Sequence, residues 1–89
     1  MLKMVYVLLI DRLFYASCRD TYVDKVFLRK IDLWNYLEKQ YYEFLNTILG
    51  LNYKIEMVYI NSICLAIYYR NDTGDRCYLK YVITERSVS

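Results

Sequence analysis

The sequence contains no histidine and no proline, and its two glycines, Gly50 and Gly74, stand far apart. Without histidine there is no imidazole base, and the usual serine–histidine and cysteine–histidine nucleophiles cannot be assembled. Two isolated glycines cannot form the glycine-rich loop that cradles a phosphate group. We therefore expect a protein that is not an enzyme, has no catalytic residues and needs no cofactor.

Metal-ligating side chains are also scarce. The sequence has three cysteines, Cys18, Cys64 and Cys77. Because a zinc site without histidine needs four thiolates, three cysteines without a C-x-x-C spacing do not make one. Asp72 and Asp75 share one polar stretch and Asp20 and Asp24 share another, but calcium requires six or more oxygens. We expect no metal site, three free thiols, and aspartates that serve turn geometry.

Long apolar runs are absent as well. The run Met4–Ile10 is stopped by Asp11 and Arg12, whereas a bilayer-spanning helix needs about 20 apolar residues. These charged residues also follow the run too closely for a secretory signal peptide, so a buried strand explains the run better. With 57% hydrophobic and 25% charged residues, we expect residues 1–89 to form a single soluble domain in the cytoplasm.

Tyrosine is the abundant residue type, with twelve copies. It joins an apolar ring to a polar hydroxyl and therefore suits half-buried strands and protein interfaces. Twelve lysines and arginines face ten acidic residues, which leaves a net charge of +2. This excess is smaller than that of a typical nucleic-acid-binding domain and opposite in sign to that of a DNA mimic. We infer that some of the tyrosines serve an interface.

The clearest secondary-structure signal predicts a helix over Leu33–Leu49. Apolar side chains at three- and four-residue spacing form its stripe: Trp34, Leu37, Tyr41, Phe44, Leu45 and Ile48. Asp32 is placed to cap the first turn, and Gly50 to end the helix in a left-handed conformation. Polar residues occupy the opposite side, so the helix should pack on one face of a sheet.

Three strand-like runs follow the helix, namely Tyr53–Ile60, Ile63–Arg70 and Arg76–Glu85. Their apolar alternation predicts that Arg70 pairs with Arg76 across a loop in which Gly74 has a positive φ. The face toward the core then holds Ile55, Met57, Tyr59, Leu65, Ile67, Tyr69, Cys77, Leu79, Tyr81 and Ile83. Cys64 should point the other way, which would prevent a disulfide with Cys77.

Three further strands are predicted before the helix, namely Lys3–Ile10, Leu13–Cys18 and Lys25–Lys30. The polar stretch Arg19–Asp24 should connect the last two, and Leu13–Cys18 also fits a helix. Met4–Val7 resembles Met57–Ile60, which indicates either an internal repeat or chance similarity between tyrosine- and valine-rich strands. The predicted fold class is α+β, an antiparallel sheet of two three-stranded meanders (βββ-α-βββ) with a single helix packed on one face.

One face of the predicted C-terminal meander combines cations with aromatic rings. Opposite the predicted core it displays Lys54, Tyr68, Arg70, Arg76, Tyr78 and Lys80, and Glu56 is the only acid among them. Such a face fits an acidic protein surface, and it equally fits a nucleic-acid backbone and its bases. An ordinary solvated sheet face is the third interpretation. Because one helix leaves the other side of the sheet uncovered, we predict that these six residues bind the partner.

No motif in the sequence identifies a family. The chain is small, lacks a catalytic set and has only four glycines and alanines together, a composition typical of an AT-rich gene. In these respects it resembles the accessory proteins of viruses and mobile elements, many of which block a host complex stoichiometrically; anti-CRISPR proteins are one example. The first hypothesis is an inhibitor that binds a host protein or ribonucleoprotein complex, with a homodimer compatible with this role. The alternatives are a single-stranded nucleic-acid-binding protein and a structural homo-oligomer subunit.

Overall fold

The computed structural model describes residues 3–15 and 18–88, and within them it shows an α+β fold with one helix and one antiparallel sheet. The elements in chain order are β1 (Lys3–Tyr15), β2 (Cys18–Phe27), α1 (Lys30–Leu49), β3 (Lys54–Ile60), β4 (Cys64–Arg70) and β5 (Arg76–Val88). The five strands lie in the order β2-β1-β5-β4-β3. Strand β5 therefore joins the two halves, because it pairs with β1 on one side and with β4 on the other.

The N-terminal half forms two strands, so the order is ββ-α-βββ and the predicted six-strand arrangement is wrong. Of the predicted strand Leu13–Cys18, residues 13–15 end β1, Cys18 begins β2, and residues 16 and 17 lie outside the described residues. Of the predicted strand Lys25–Lys30, residues 25–27 end β2 and Lys30 begins α1. The predicted connection Arg19–Asp24 lies inside β2, where Arg19 pairs with Asp11 of β1 at 3.0 Å. Cross-strand ion pairs of this kind allow a polar segment to serve as an edge strand.

The sequence repeat does not correspond to a structural repeat. Met4–Val7 lies in β1, which pairs with strands on both sides, whereas Met57–Ile60 ends the edge strand β3, which pairs only with β4. The two similar segments therefore occupy different places in the sheet.

The helix is confirmed but begins earlier than predicted. It starts directly after Arg29, and no side chain caps its first amides. Asp32 lies in the first turn, where its carboxylate accepts hydrogen bonds of 3.0 and 3.1 Å from the Arg29 guanidinium and interacts favourably with the helix dipole. Gly50 has φ −83°, so the predicted left-handed stop is wrong. The amide of Leu51 instead donates to the Ile48 carbonyl in a tight turn.

The predicted apolar stripe packs on the sheet. Leu37 and Ile48 are buried, and Leu33 joins them. The main cluster under the helix contains Leu8, Ile10, Leu33, Leu37, Leu65, Tyr81 and Ile83. A smaller cluster farther along the helix contains Ile67, Tyr69 and Cys77, with Tyr41, Phe44 and Tyr53 packed against it. The core therefore lies between α1 and the strands β1, β5 and β4.

The side of α1 that faces away from the sheet is mainly polar, and its exposed residues include Asn35, Glu38, Lys39, Glu43 and Asn46. Ile31, Tyr42 and Leu49 are also exposed on this helix. Across the described part of the chain, no helix has both the length and the apolar character needed to cross a bilayer.

The β4–β5 register is the predicted one. Arg70 pairs with Arg76, and the pairing continues without interruption to Cys64 and Val82. It places Leu65, Ile67, Tyr69, Cys77, Leu79 and Tyr81 on the face under α1, which we call the inner face. Cys64 lies on the opposite face from Cys77, and the three cysteines are free in the structure.

Strand β3 departs from the predicted register at its third residue. Ile55 faces inward as predicted, but the pairing with β4 then shifts by one residue. A bulge of this kind inserts one residue into one strand and reverses the faces of the residues that follow. Met57 and Tyr59, which were predicted to face inward, therefore lie on the opposite face. Val58 and Ile60 take the inner positions.

The loop between β4 and β5 is held by Asn71, which is buried. Its side-chain oxygen accepts hydrogen bonds of 3.1 and 2.9 Å from the amides of Thr73 and Asp75. Gly74 has φ +84°, which confirms the predicted positive φ. The hairpin register is therefore fixed from its turn.

We expect Leu37→Ala to lower the free energy of unfolding by about 2–5 kcal/mol, because it leaves a cavity between α1 and the sheet. Leu37 is 1% exposed, whereas Leu49 on the same helix is 81% exposed. Leu49→Ala is the matched control and should change stability by less than about 0.5 kcal/mol. Chemical denaturation followed by circular dichroism measures both. Equal effects of the two substitutions would contradict the assignment of Leu37 to the core.

Candidate functional site

One face of the sheet is uncovered. Helix α1 packs on the inner face, and no other element of the described chain lies over the opposite one, which we call the outer face. The strand pairings bring together on it all six residues predicted from the sequence: Lys54, Tyr68, Arg70, Arg76, Tyr78 and Lys80.

The centre of the outer face is a lysine between two tyrosines. The Lys80 Nζ atom lies 4.6 Å from the centroid of the Tyr78 ring and 5.6 Å from that of the Tyr68 ring. The two ring centroids are 6.2 Å apart, because Tyr68 and Tyr78 are directly paired across β4 and β5. The attraction of an ammonium group to the ring faces holds these three side chains together.

A carboxylate that the sequence analysis missed lies beside this cluster. Strand β1 places Asp11 opposite Lys80, and the Asp11 carboxylate accepts a 3.1 Å hydrogen bond from the Tyr78 hydroxyl. It also accepts hydrogen bonds of 3.1 and 3.0 Å from the Arg19 guanidinium. The Arg19 hydrogen bonds, followed by that of Tyr78, lower the pKa of Asp11 against the opposing effect of its partial burial. Only the pairing of β1 with β5 reveals this neighbour, and no local sequence pattern indicates that pairing.

The outer face carries most of the positive charge of the protein. The register assigns to it seven cations: Lys3, Arg19, Lys54, Arg70, Arg76, Lys80 and Arg86. It assigns two acids, Asp11 and Glu56, the latter through its contact with Arg70. The remaining five cations and eight acids lie on the helix side or in loops. The outer face therefore has an excess of five positive charges and the remainder an excess of three negative ones, which the net charge of +2 conceals.

Part of this positive charge has no partner among the residues that the structure describes. Arg19 is paired with Asp11, and Arg70 is paired with Glu56 at 3.1 Å and donates to the Gly74 carbonyl at 2.9 Å. Lys80 contacts only the rings of Tyr68 and Tyr78, and the other four outer-face cations form no hydrogen bond or ion pair with residues 3–15 or 18–88, namely Lys3, Lys54, Arg76 and Arg86. These four side chains are the ones available to an external anionic group.

The chemistry available on the outer face is that of cationic and aromatic side chains. Among the residues that the structure describes, no three histidine, cysteine or acidic side chains cluster as metal ligands would. Cys64 lies on this face, but partial burial raises the pKa of its thiol and so disfavours the nucleophilic thiolate. The lysine, arginine and tyrosine side chains can donate hydrogen bonds to carboxylates or phosphates and pack against apolar groups.

We expect Asp11→Asn to lower the free energy of unfolding by about 1–2 kcal/mol near neutral pH, because charge-assisted hydrogen bonds are lost. The pKa of Asp11 is lower in the folded protein than its ordinary value. Its contribution is therefore complete above the unfolded-state pKa of about 4 and is lost as the pH falls through the folded-state pKa. The difference between wild type and variant should shrink in acid. Asp72→Asn in the exposed loop is the control, and a pH-independent difference for Asp11→Asn would contradict the assignment.

Comparison with known proteins does not narrow the function. No protein family, no curated protein and no solved structure matches this chain. The charges and rings of the outer face are therefore the features that bear on function.

Proposed function

We propose that this protein is a non-enzymatic binding protein whose outer face docks on an acidic surface of a partner protein. The observation that supports the proposal is the charge separation between the two sides of the molecule, with seven cations and two acids on the uncovered side. Such a field attracts and orients an anionic partner before contact. Lys54 and Arg76, which form no ion pair with the described residues, then meet partner carboxylates without first breaking one.

A protein partner fits this face better than a single-stranded nucleic acid. Lys80 lies over the rings of Tyr68 and Tyr78, so the ring faces on which a base would stack already have a partner. Exposed apolar side chains also lie on the outer face, with Met57 51% and Tyr59 50% exposed. Tyrosine, methionine and arginine together are typical of protein interfaces. The positive excess keeps nucleic acid as the second candidate.

A protein with such a surface acts by occupying a site on its partner. A face that offers charge and contact area without a nucleophile acts by covering a site on its partner, in a stoichiometric complex. A small protein that blocks a host defence or regulatory complex is the role that fits this mode, and the proposal extends to it.

We expect Lys54→Glu and Arg76→Glu each to weaken partner binding by roughly 30-fold, as truncation of an interface hot spot of about 2 kcal/mol would do. Lys39→Glu on the exposed side of α1 makes the same charge change away from the outer face and should leave binding unchanged. Immobilised wild type and the three variants are compared by the proteins that they capture from one lysate, and the captured partner is then titrated. Equal capture by wild type and the two outer-face variants would contradict the proposal.

The two candidate functions differ in their response to salt. If the outer face bound an oligothymidylate probe, counterion release would make the logarithm of the binding constant fall steeply and linearly with the logarithm of the salt concentration. We expect this probe to bind weakly and the captured protein to bind with a shallower salt dependence. Tight oligothymidylate binding that is lost in both Lys54→Glu and Arg76→Glu would assign the outer face to nucleic acid instead.

A further inference from the structure

Strand β3 is an edge strand whose second half lacks the usual protection. All seven of its residues are exposed, although five of them are apolar or aromatic. Natural edge strands are commonly protected by charge, proline or a covering element. Lys54, Glu56 and the bulge protect the first half of β3 in this way. The second half, Met57–Ile60, contains no charge and no proline, and Ile60 is 61% exposed.

The inner side of β3 is also open, because α1 packs over β1, β5 and β4. A groove of about 370 Å³ separates the helix from β3. Its lining is almost entirely apolar and consists of Trp34, Leu37, Glu38, Tyr41, Tyr42, Val58, Ile60 and Leu65. The exposed edge is therefore bordered by apolar surface on the inner side.

The hydrogen-bond pattern of the β3–β4 hairpin identifies the free backbone groups of this edge. The amide of Asn61 donates to the Cys64 carbonyl at 2.9 Å, so this pair is a hydrogen-bonded one. Antiparallel pairs alternate between hydrogen-bonded and non-hydrogen-bonded. Tyr59 therefore directs its N–H and C=O toward β4. Val58 and Ile60 direct theirs away from it, at an edge where the described chain has no further strand.

We propose that a second copy of this chain pairs antiparallel with β3, about a twofold axis that passes through Tyr59. Val58 of each copy then lies opposite Ile60 of the other. Each of these two pairs exchanges two N–H···O=C bonds, so all the free groups of Val58 and Ile60 are satisfied by four hydrogen bonds. The two Tyr59 side chains meet in the closer, non-hydrogen-bonded type of pair, where cross-strand aromatic contacts are favourable.

The structure distinguishes this register from its neighbours. An axis through Val58 would set Ile60 against the bulged Glu56, where the ladder is disrupted. An axis through Ile60 would set Val58 against Ser62, which lies beyond the end of β3. An axis between two residues would place outer-face side chains opposite inner-face ones, against the pleat.

The segment from Met57 to Asn61 can pair with its own copy without charge repulsion and with its apolar residues in contact. This favours a second copy over a strand of another protein. From Met57 to Asn61 there is no charged side chain, so the twofold axis brings no like charges together. Met57 meets Asn61 on the outer side, and Val58 meets Ile60 on the inner side. The pairing also aligns the outer faces of the two copies, so that the basic surface becomes continuous across the dimer.

The first experiment uses charge at the axis. The molar mass of wild type, measured by light scattering over a range of concentrations, should rise from 10.9 kDa toward twice that value. Tyr59→Lys and Tyr59→Glu each place like charges opposite each other and should remain monomeric, while an equimolar mixture should dimerise again. Circular dichroism checks that both variants are folded, as expected for a half-exposed side chain. A wild type that is monomeric at every concentration, or a mixture that stays monomeric, overturns the proposal.

The second experiment measures the register directly. In a Cys18→Ser, Cys64→Ser background, Tyr59→Cys should form an intermolecular disulfide under mild oxidation, because the closer type of pair has Cα atoms about 4.5 Å apart. Val23→Cys on β2, an equally exposed position at the other edge, is the control and should not cross-link. Cross-linking that is equal at both positions, or absent at residue 59, contradicts the twofold axis at Tyr59. Neither experiment depends on the partner of the outer face, so the two proposals fail independently.

Discussion

The width of one helix relative to five strands determines most of this structure. An α-helix with its side chains is about 10–12 Å across, whereas five strands spaced about 4.8 Å apart span roughly 19 Å. Helix α1 can therefore cover only part of one face: its buried side chains pack on β1, β5 and β4, and Tyr36 reaches Asp24 and Phe27 of β2. The apolar core follows from that contact. The groove at β3 stays open because α1 does not reach that strand, and the outer face is uncovered because α1 packs on the inner face.

Tyrosine contributes both to the buried core under α1 and to the exposed outer face. Tyr69 and Tyr81 are buried under α1, and burial raises the pKa of each hydroxyl to about 12. Tyr68 and Tyr78 lie on the opposite face of the same two strands and hold Lys80. Adjacent residues on one strand thus serve the core and the surface, because side chains alternate across the sheet.

Local patterns were sufficient to predict the helix, the β4–β5 register and the six residues of the outer face, since each depends on alternation within one hairpin or one stripe. The β1–β2 hairpin was not predictable, because its polar strand is stabilised by ion pairs such as Arg19–Asp11 that form only on pairing. The bulge in β3 was not predictable either, because it is a feature of the pairing of β3 with β4, and it reversed the faces of Met57 and Tyr59. Asp11 lies beside the outer-face cluster because β1 pairs with β5, and these two strands are separated by most of the chain.

The central claim is that the outer face, and not the helix side, contacts the partner. The most direct measurement is lysine acetylation read by mass spectrometry, with the free protein compared with its complex with the captured partner. Lys54 and Lys80 lie on the outer face, and Lys39 lies on the exposed side of α1. We expect the complex to protect Lys54 and Lys80 while Lys39 reacts as in the free protein. Protection of Lys39 with unchanged reactivity at Lys54 and Lys80 would contradict it.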